Sequence, residues 1–190
     1  MTVYFIRHGE SEANAQGVTA GQSESPLTSR GRTQAHAAAL QLQTKNIHID
    51  TIISSPLQRA FDTATIIADE LQYSDEITIN PLIIERSLGT LQGKSAATLH
   101  GMSASEQAAA GVETDAEVMA RARELVAELQ RMPQGNLLLV SHSGFGRRLI
   151  ALVKEVEVES VPKLPNADVI ALCSSEQLSR IEVTPVDVYQ

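Results

Sequence analysis

Two short runs made only of apolar side chains, Val3-Tyr4-Phe5-Ile6 and Leu137-Leu138-Leu139-Val140, constrain this chain more than any other feature. A strand with one wet face alternates apolar and polar residues. A strand that is apolar at every position is covered on both faces, as central strands are in parallel sheets flanked by helices. Both runs also end alike. Ile6 leads into Arg7-His8-Gly9-Glu10, and Val140 into Ser141-His142-Ser143-Gly144. In an open α/β sheet, ligands bind at the carboxyl ends of the strands. The two imidazoles are therefore expected to meet in one crevice, with arginine beside them to hold an anion.

The remaining pattern agrees. A helix is expected from Thr28 to about Gln43, with Ala35, Ala38, Ala39 and Leu42 inward. Thr51-Ile52-Ile53 reads as a second short strand. It leads into Ser54-Ser55-Pro56-Leu57-Gln58-Arg59, where Ser55 suits an N-cap, Pro56 the first helical position and Gln58 a capping-box partner. Ala60, Ala64, Ile67, Ala68 and Leu71 mark the face of the helix that follows. Ile77-Thr78-Ile79 and Leu82-Ile83-Ile84 are strand-like and split by Pro81. Thr114 with Glu117 forms another capping box, opening an amphipathic helix with Val118, Ala122, Leu125, Val126 and Leu129 inward. A helix from about Phe145 to Val153 follows the 137–140 strand. Segments near 168–173 and 178–184 read as a closing hairpin around Ser174-Ser175-Glu176-Gln177. The fold class is therefore α/β: a three-layer sandwich with a mostly parallel central sheet, helices on both faces and an antiparallel edge. With no repeat and no linker, residues 1–190 read as one domain. Residues 89–113 are rich in Gly, Ala, Ser and Thr and poor in bulky apolar groups. They read as a surface insertion, a short lid.

Composition excludes some functions. A net charge of −8 argues against a nucleic-acid binder, which should carry a basic face. It leaves an anionic substrate open, because a local Arg and His cluster can dominate the field in a cleft. No stretch reaches membrane-spanning length and nothing resembles a secretory signal, so no membrane partner is expected. One cysteine, Cys173, rules out an internal disulfide and fits a reducing, cytoplasmic setting. It lies in an apolar run and reads as a buried, inert thiol. No cluster suits a metal, and no cofactor is expected.

The motifs carry a resemblance. Arg7-His8-Gly9-Glu10-Ser11 with Asn14, then Pro26-Leu27-Thr28 with Gly31 and Gln34, then Ser54-Ser55-Pro56-Leu57-Gln58-Arg59-Ala60 with Thr63-Ala64, resemble the histidine phosphatase superfamily, the phosphoglycerate-mutase-like group. Glu85 in Glu85-Arg86-Ser87-Leu88-Gly89 and His142 before Ser143-Gly144 complete the likeness. It implies that His8 is the nucleophile and forms a phosphohistidine. It implies that His142 contacts the transferring group and that Glu85 is the general acid, then the base for attacking water. Asn14 matches a position that contacts substrate. Physical chemistry points the same way for the cations. Phosphoryl transfer runs through a loose transition state, so catalysis is mostly positioning and charge stabilisation. Without a metal-ligand cluster, Arg7 and Arg59 must supply that charge, and guanidinium meets phosphate oxygens bidentately. Arg59 also falls in the first turn of a helix, whose N–H groups favour an anion. The blander alternatives are a surface Glu85 paired with Arg86, an Asn14 that only caps a short helix, and Arg147 and Arg148 as solvated or ion-paired residues. His36, His48 and His100 read as surface residues.

Departures from the family pattern fall on the pocket walls. Gln22 and Glu24 stand where many relatives have an aromatic residue and an aspartate. Leu88 and Leu91 stand where Phe and Trp are frequent, and Ser143 where glycine is usual. Gln22 and Ser143 join Asn14 as candidate substrate contacts. The insertion 89–113 has Lys94 as its one Lys or Arg, where mutases carry longer and more basic segments. That favours transfer to water: a phosphatase acting on a small phosphorylated metabolite. The alternatives are a phosphoglycerate-type mutase, a phosphoprotein phosphatase, and a non-catalytic phosphate-ligand sensor. The last helix and hairpin could also form a homodimer edge.

Overall fold

The computed structural model describes residues 1–174 and 181–185. The proposed connection at 174–177 lies mostly outside the described residues, as do the first residues of the expected 178–184 strand and the side chains of His100 and Cys173. The elements in chain order are β1 (Thr2–Arg7), α1 (Glu12–Ala15), α2 (Ser29–Thr44), β2 (Thr51–Ser54), α3 (Gln58–Leu71), β3 (Thr78–Ile79), α4 (Ala96–His100), α5 (Ala104–Ala109), α6 (Asp115–Leu129), β4 (Asn136–Ser141), α7 (Ser143–Lys154), β5 (Val169–Ser174) and β6 (Ile181–Pro185). The strands form one sheet in the order β3-β2-β4-β1-β5-β6. β3, β2, β4 and β1 run parallel, and β5 and β6 form the antiparallel edge.

The apolar runs divide between two cores by strand periodicity. Val3, Phe5, Leu137 and Leu139 face α6 and α7, packing on Val118, Leu125, Phe145 and Leu149. Ile6, Leu138 and Val140 face α2 and α3, packing on Ala38, Leu42, Ala64 and Ile67. The sheet is thus sandwiched as its unbroken apolar strands require. Among the described residues, no helix is long and apolar enough to cross a membrane.

Three local expectations need correction. α3 starts at Gln58, with Leu57 as N-cap and no side-chain cap. Ser55 does not cap it, because its hydroxyl is engaged by His142 at 2.7 Å. Leu82-Ile83-Ile84 is not a strand: Pro81–Ile83 forms a 3₁₀ turn. Pro81 pre-sets φ there, and the Asn80 side chain accepts from Leu82 N–H at 2.9 Å. α7 begins at Ser143 rather than Phe145, directly behind His142 as its N-cap residue.

The insertion contains a 3₁₀ turn at Gly89–Leu91, then α4 and α5. It is pinned to the loop after α1. Thr19 N–H donates to Lys94 O at 2.9 Å, Gly93 N–H to Thr19 O at 2.7 Å, and Gln22 N–H to Gln92 Oε1 at 2.7 Å.

Candidate active site

The sheet register sets the two histidines side by side. Arg7 lies opposite Ser141, so β1 and β4 end level. His8 N–H then donates to Ser141 O at 2.9 Å. The imidazole centroids are 5.1 Å apart with planes at 60°. His8 is 3% exposed and His142 fully buried. β2 ends beside them, where Ser55 N–H donates to Val140 O at 3.0 Å. The turn after His8 stays close to α2 because both partners lack a side chain. A Cβ on Gly9 would collide with the Gly31 carbonyl, and one on Gly31 with the Glu10 carbonyl.

Hydrogen bonding fixes the state of His8. Its Nδ1 lies 2.7 Å from Gly9 O. A carbonyl only accepts, so Nδ1 holds the proton and Nε2 keeps its lone pair. Arg59 Nε donates to that Nε2 at 3.2 Å. Burial first, then the charges of Arg59 and Arg7, push the His8 pKa well below the ordinary imidazole value; the Gly9 bond opposes them. Burial, then His8, Arg59, Arg7 and Arg121, do the same to His142. Both rings are therefore neutral near pH 7, and Nε2 of His8 is a free base in a cationic enclosure.

The two guanidiniums are held by backbone carbonyls and, for Arg7, by the Asn14 side chain. Arg7 Nη1 donates to Leu164 O at 2.7 Å and Nη2 to Asn14 Oδ1 at 3.3 Å. Arg59 Nη1 donates to Ser23 O at 2.8 Å and Nη2 to Gly21 O at 2.6 Å. Burial lowers the pKa of both arginines and Glu85 opposes it in both, which places that carboxylate within electrostatic reach of each. Among the described residues, two buried side-chain polar atoms have no partner: Arg7 Nε and His142 Nδ1. Both belong to this cluster.

Glu85 reaches the cluster from the other side. Its Oε1 accepts from Arg86 N–H at 2.8 Å and Phe145 N–H at 2.9 Å, and its Oε2 from Gly144 N–H at 3.1 Å. The carboxylate thus sits on the N-terminus of α7, the helix that starts behind His142. A Cβ on Gly144 would collide with Oε1. The alternative pairing with the Arg86 guanidinium does not occur. Arg86 Nε donates instead to Glu113 O at 2.6 Å.

The three candidate substrate contacts hold other site residues. Asn14 takes part in the capping box of α1 with Ser11, and its Oδ1 also accepts from Arg7 and, at 3.1 Å, from Asn166 Nδ2. Gln22 Nε2 donates to Glu85 O at 2.8 Å, fixing that residue's own backbone. Ser143 Oγ accepts from Leu164 N–H at 3.3 Å. Glu24 accepts from Gln58 N–H at 3.0 Å, so the start of α3 is partly occupied by protein. Arg148 is buried, donating to Asp115 and to Gly144 O, while Arg147 donates to the carbonyls of Val161 and Val158. His36 and His48 are exposed, as expected.

Sequence reasoning missed Arg121 and Asn166. Arg121 Nη1 donates to Leu82 O at 2.6 Å and Ile84 O at 2.7 Å, the carbonyls just before Glu85. Its Nε and Nη2 clasp Glu113 at 2.8 and 3.2 Å, and its guanidinium lies 4.9 Å from the Phe145 ring. The available signal was its spacing: Arg121 lies three residues after Val118 and four before Leu125, on the inner edge of α6. Asn166 Nδ2 donates to His8 O at 2.9 Å, a contact 158 residues apart that no local pattern announces.

Comparison with known proteins agrees with this geometry. Residues 3–184 match the profile of the histidine phosphatase superfamily (branch 1). A 2,3-bisphosphoglycerate-dependent phosphoglycerate mutase of Bartonella henselae is 39% identical over 93 residues, 48% of this chain and 45% of that mutase. The match thus spans less than half the length of that relative. A fructose-2,6-bisphosphatase TIGAR B of Danio rerio is 32% identical over 83% of this chain and 65% of its own length. The structure of a mycobacterial glucosyl-3-phosphoglycerate phosphatase in complex with VO3 superposes with a TM-score of 0.82 at 27% identity, covering 97% of each chain.

Proposed function

Since the chain belongs to branch 1 of the histidine phosphatase superfamily, we propose that it hydrolyses a small phosphate monoester through a phosphohistidine on His8. The observation that carries this reading is the pair of unpartnered buried atoms, Arg7 Nε and His142 Nδ1, beside the His8 lone pair. A buried polar atom left unpaired costs about 1–3 kcal/mol. An anion bearing several acceptor oxygens relieves that cost at both atoms.

In this mechanism His8 Nε2 attacks phosphorus and the bond to the ester oxygen breaks. Arg59 Nε, now on the His8 lone pair, passes to a phosphoryl oxygen as phosphorus takes its place. Arg7, Arg59 and His142 share the developing negative charge in a site of low dielectric. Glu85 gives a proton to the departing oxygen. Its three N–H partners suit the ionised carboxylate. That carboxylate is what donation leaves behind, and the water step returns its proton. Glu85 then takes a proton from water, which attacks the phosphohistidine and frees phosphate and the imidazole.

Water as acceptor is supported by the insertion. Lys94 is the one Lys or Arg between residues 89 and 113. Retaining a bisphosphate through a mutase cycle calls for more cationic grip than that. Incubation with 3-phosphoglycerate and a panel of phosphomonoesters tests the reading. Release of phosphate with an acid-labile phosphoenzyme, unaffected by chelators, is the expected result. Interconversion of 2- and 3-phosphoglycerate without phosphate release would sink it.

A further inference from the structure

We propose that Ser55 is a positioning residue that donates its hydroxyl proton to His142 Nε2 and so leaves Nδ1–H of His142 as a donor to the phosphoryl group. The inference rests on the phosphate-site reading above.

A neutral imidazole has one N–H, and the whole question is which nitrogen bears it. Nε2 of His142 lies 2.7 Å from Ser55 Oγ, and Nδ1 is buried without a partner. A serine hydroxyl offers one proton and two acceptor sites. One acceptor site of Ser55 faces Leu57 N–H at 3.4 Å. Were Nε2–H to donate into Ser55, the hydroxyl proton would need another acceptor in a fully buried place. Donation from Ser55 to Nε2 uses that proton and moves the imidazole proton to Nδ1.

The requirement from the ligand side is the same. Arg7 acts on His142 electrostatically, and Arg7 Nε–H is the other orphan of the pocket. An anion accepts from Arg7 Nε–H in either tautomer. It pairs with His142 Nδ1 only when that atom holds a proton; a lone pair there would repel it. His8 has the same tautomer for the opposite purpose, its Nδ1–H spent on Gly9 O so that Nε2 can attack. Ser55 is well placed to impose the choice. Its N–H is held by Val140 O and its side chain is fully buried, so the hydroxyl cannot swing to water.

Long-range proton–nitrogen correlation spectra of the ¹⁵N-histidine-labelled full chain near pH 7.5 test this without any ligand. Wild type is expected to show His142 protonated on Nδ1 and bare on Nε2. Ser55→Ala should move the population toward Nε2–H and raise the dissociation constant for inorganic phosphate about tenfold or more. Ser55→Cys, close in size and a weaker donor, should fall between. A wild-type ring protonated on Nε2, or an unchanged tautomer in both variants, overturns the assignment. If Ser55→Ala does not fold, the wild-type spectrum and Ser55→Cys decide it. An Nδ1-protonated ring in a protein that binds no phosphate supports the Ser55 bond and overturns the phosphate reading instead.

Discussion

The two halves of the site are built from different material. His8, His142 and Arg59 lie on the ends of β1 and β4 and in the first turn of α3, each nearly or fully buried. Glu85 stands in the irregular segment between β3 and α6, where backbone groups are held by side chains rather than by a sheet ladder. A register-locked strand end fixes its side chain through the whole core. A loop carboxylate stays in place only as well as its tethers do. On the proposed mechanism the histidine–arginine half should therefore fail completely when broken, and the Glu85 half by degrees and selectively.

The largest effect tests the first half. His8→Ala removes the proposed nucleophile, and turnover should drop at least about 10³-fold. The fold should survive, because the β1–β4 ladder ends before residue 8. Circular dichroism and phosphate release on the same sample check both parts. Near-normal turnover in a folded variant would remove His8 from the mechanism.

Glu85→Gln should divide substrates. An alkyl phosphate needs its leaving oxygen protonated, so its turnover should fall about 10²–10⁴-fold. An activated aryl phosphate leaves unaided and should lose far less in its first step. Equal losses would deny Glu85 the role of acid and erase the contrast between the halves.

Arg121→Met sharpens the contrast, since Arg121 touches no part of the phosphate cluster by hydrogen bond. Releasing the Leu82 and Ile84 carbonyls lets the Glu85 carboxylate shift by a fraction of an ångström to an ångström, and such a displacement can cost a proposed acid about 10²-fold. The loss should again fall on the alkyl phosphate, with kcat reduced and KM little changed. Arg121→Lys, which keeps one donor near the carbonyls, should restore part of it. A loss shared equally by aryl and alkyl substrates would mark Arg121 as structural only.

The same division explains what could be read in the sequence. Unbroken apolar runs forced β1 and β4 into the middle of a covered sheet, and the residues just beyond them had to share one crevice. That logic reached His8, His142 and Arg7 because strand periodicity and register are short-range rules with long-range consequences. It failed where a side chain chose a distant backbone partner. Ser55 looked like a cap because the pattern is local, yet its hydroxyl serves a histidine 87 residues away. Leu82-Ile83-Ile84 looked like a strand because its apolar residues fit one, yet Asn80 and Pro81 wind it into a turn. Arg121 and Asn166 bond to carbonyls 39 and 158 residues distant, and no spacing in a single sequence encodes such contacts.

The smallest effect concerns stability, and it again separates the halves. His8 and His142 are held neutral by the fold, with pKa values well below the ordinary imidazole value near 6.5. The unfolded chain therefore binds protons below about pH 6.5 that the folded chain refuses. Stability from this source is whole above that pH and declines as pH falls below it, by at most about 1.4 kcal/mol per pH unit for each histidine. Urea unfolding of the wild type between pH 7.5 and 5 should show that slope. Replacing either ring by asparagine should flatten it by one histidine's share, whereas Glu85→Gln should leave the histidine share of the slope in place and Arg121→Met should remove only the smallest of the causes acting on His142. A slope indifferent to both histidines would mean that the pocket admits protons freely, and the two halves would then differ in chemistry but not in burial.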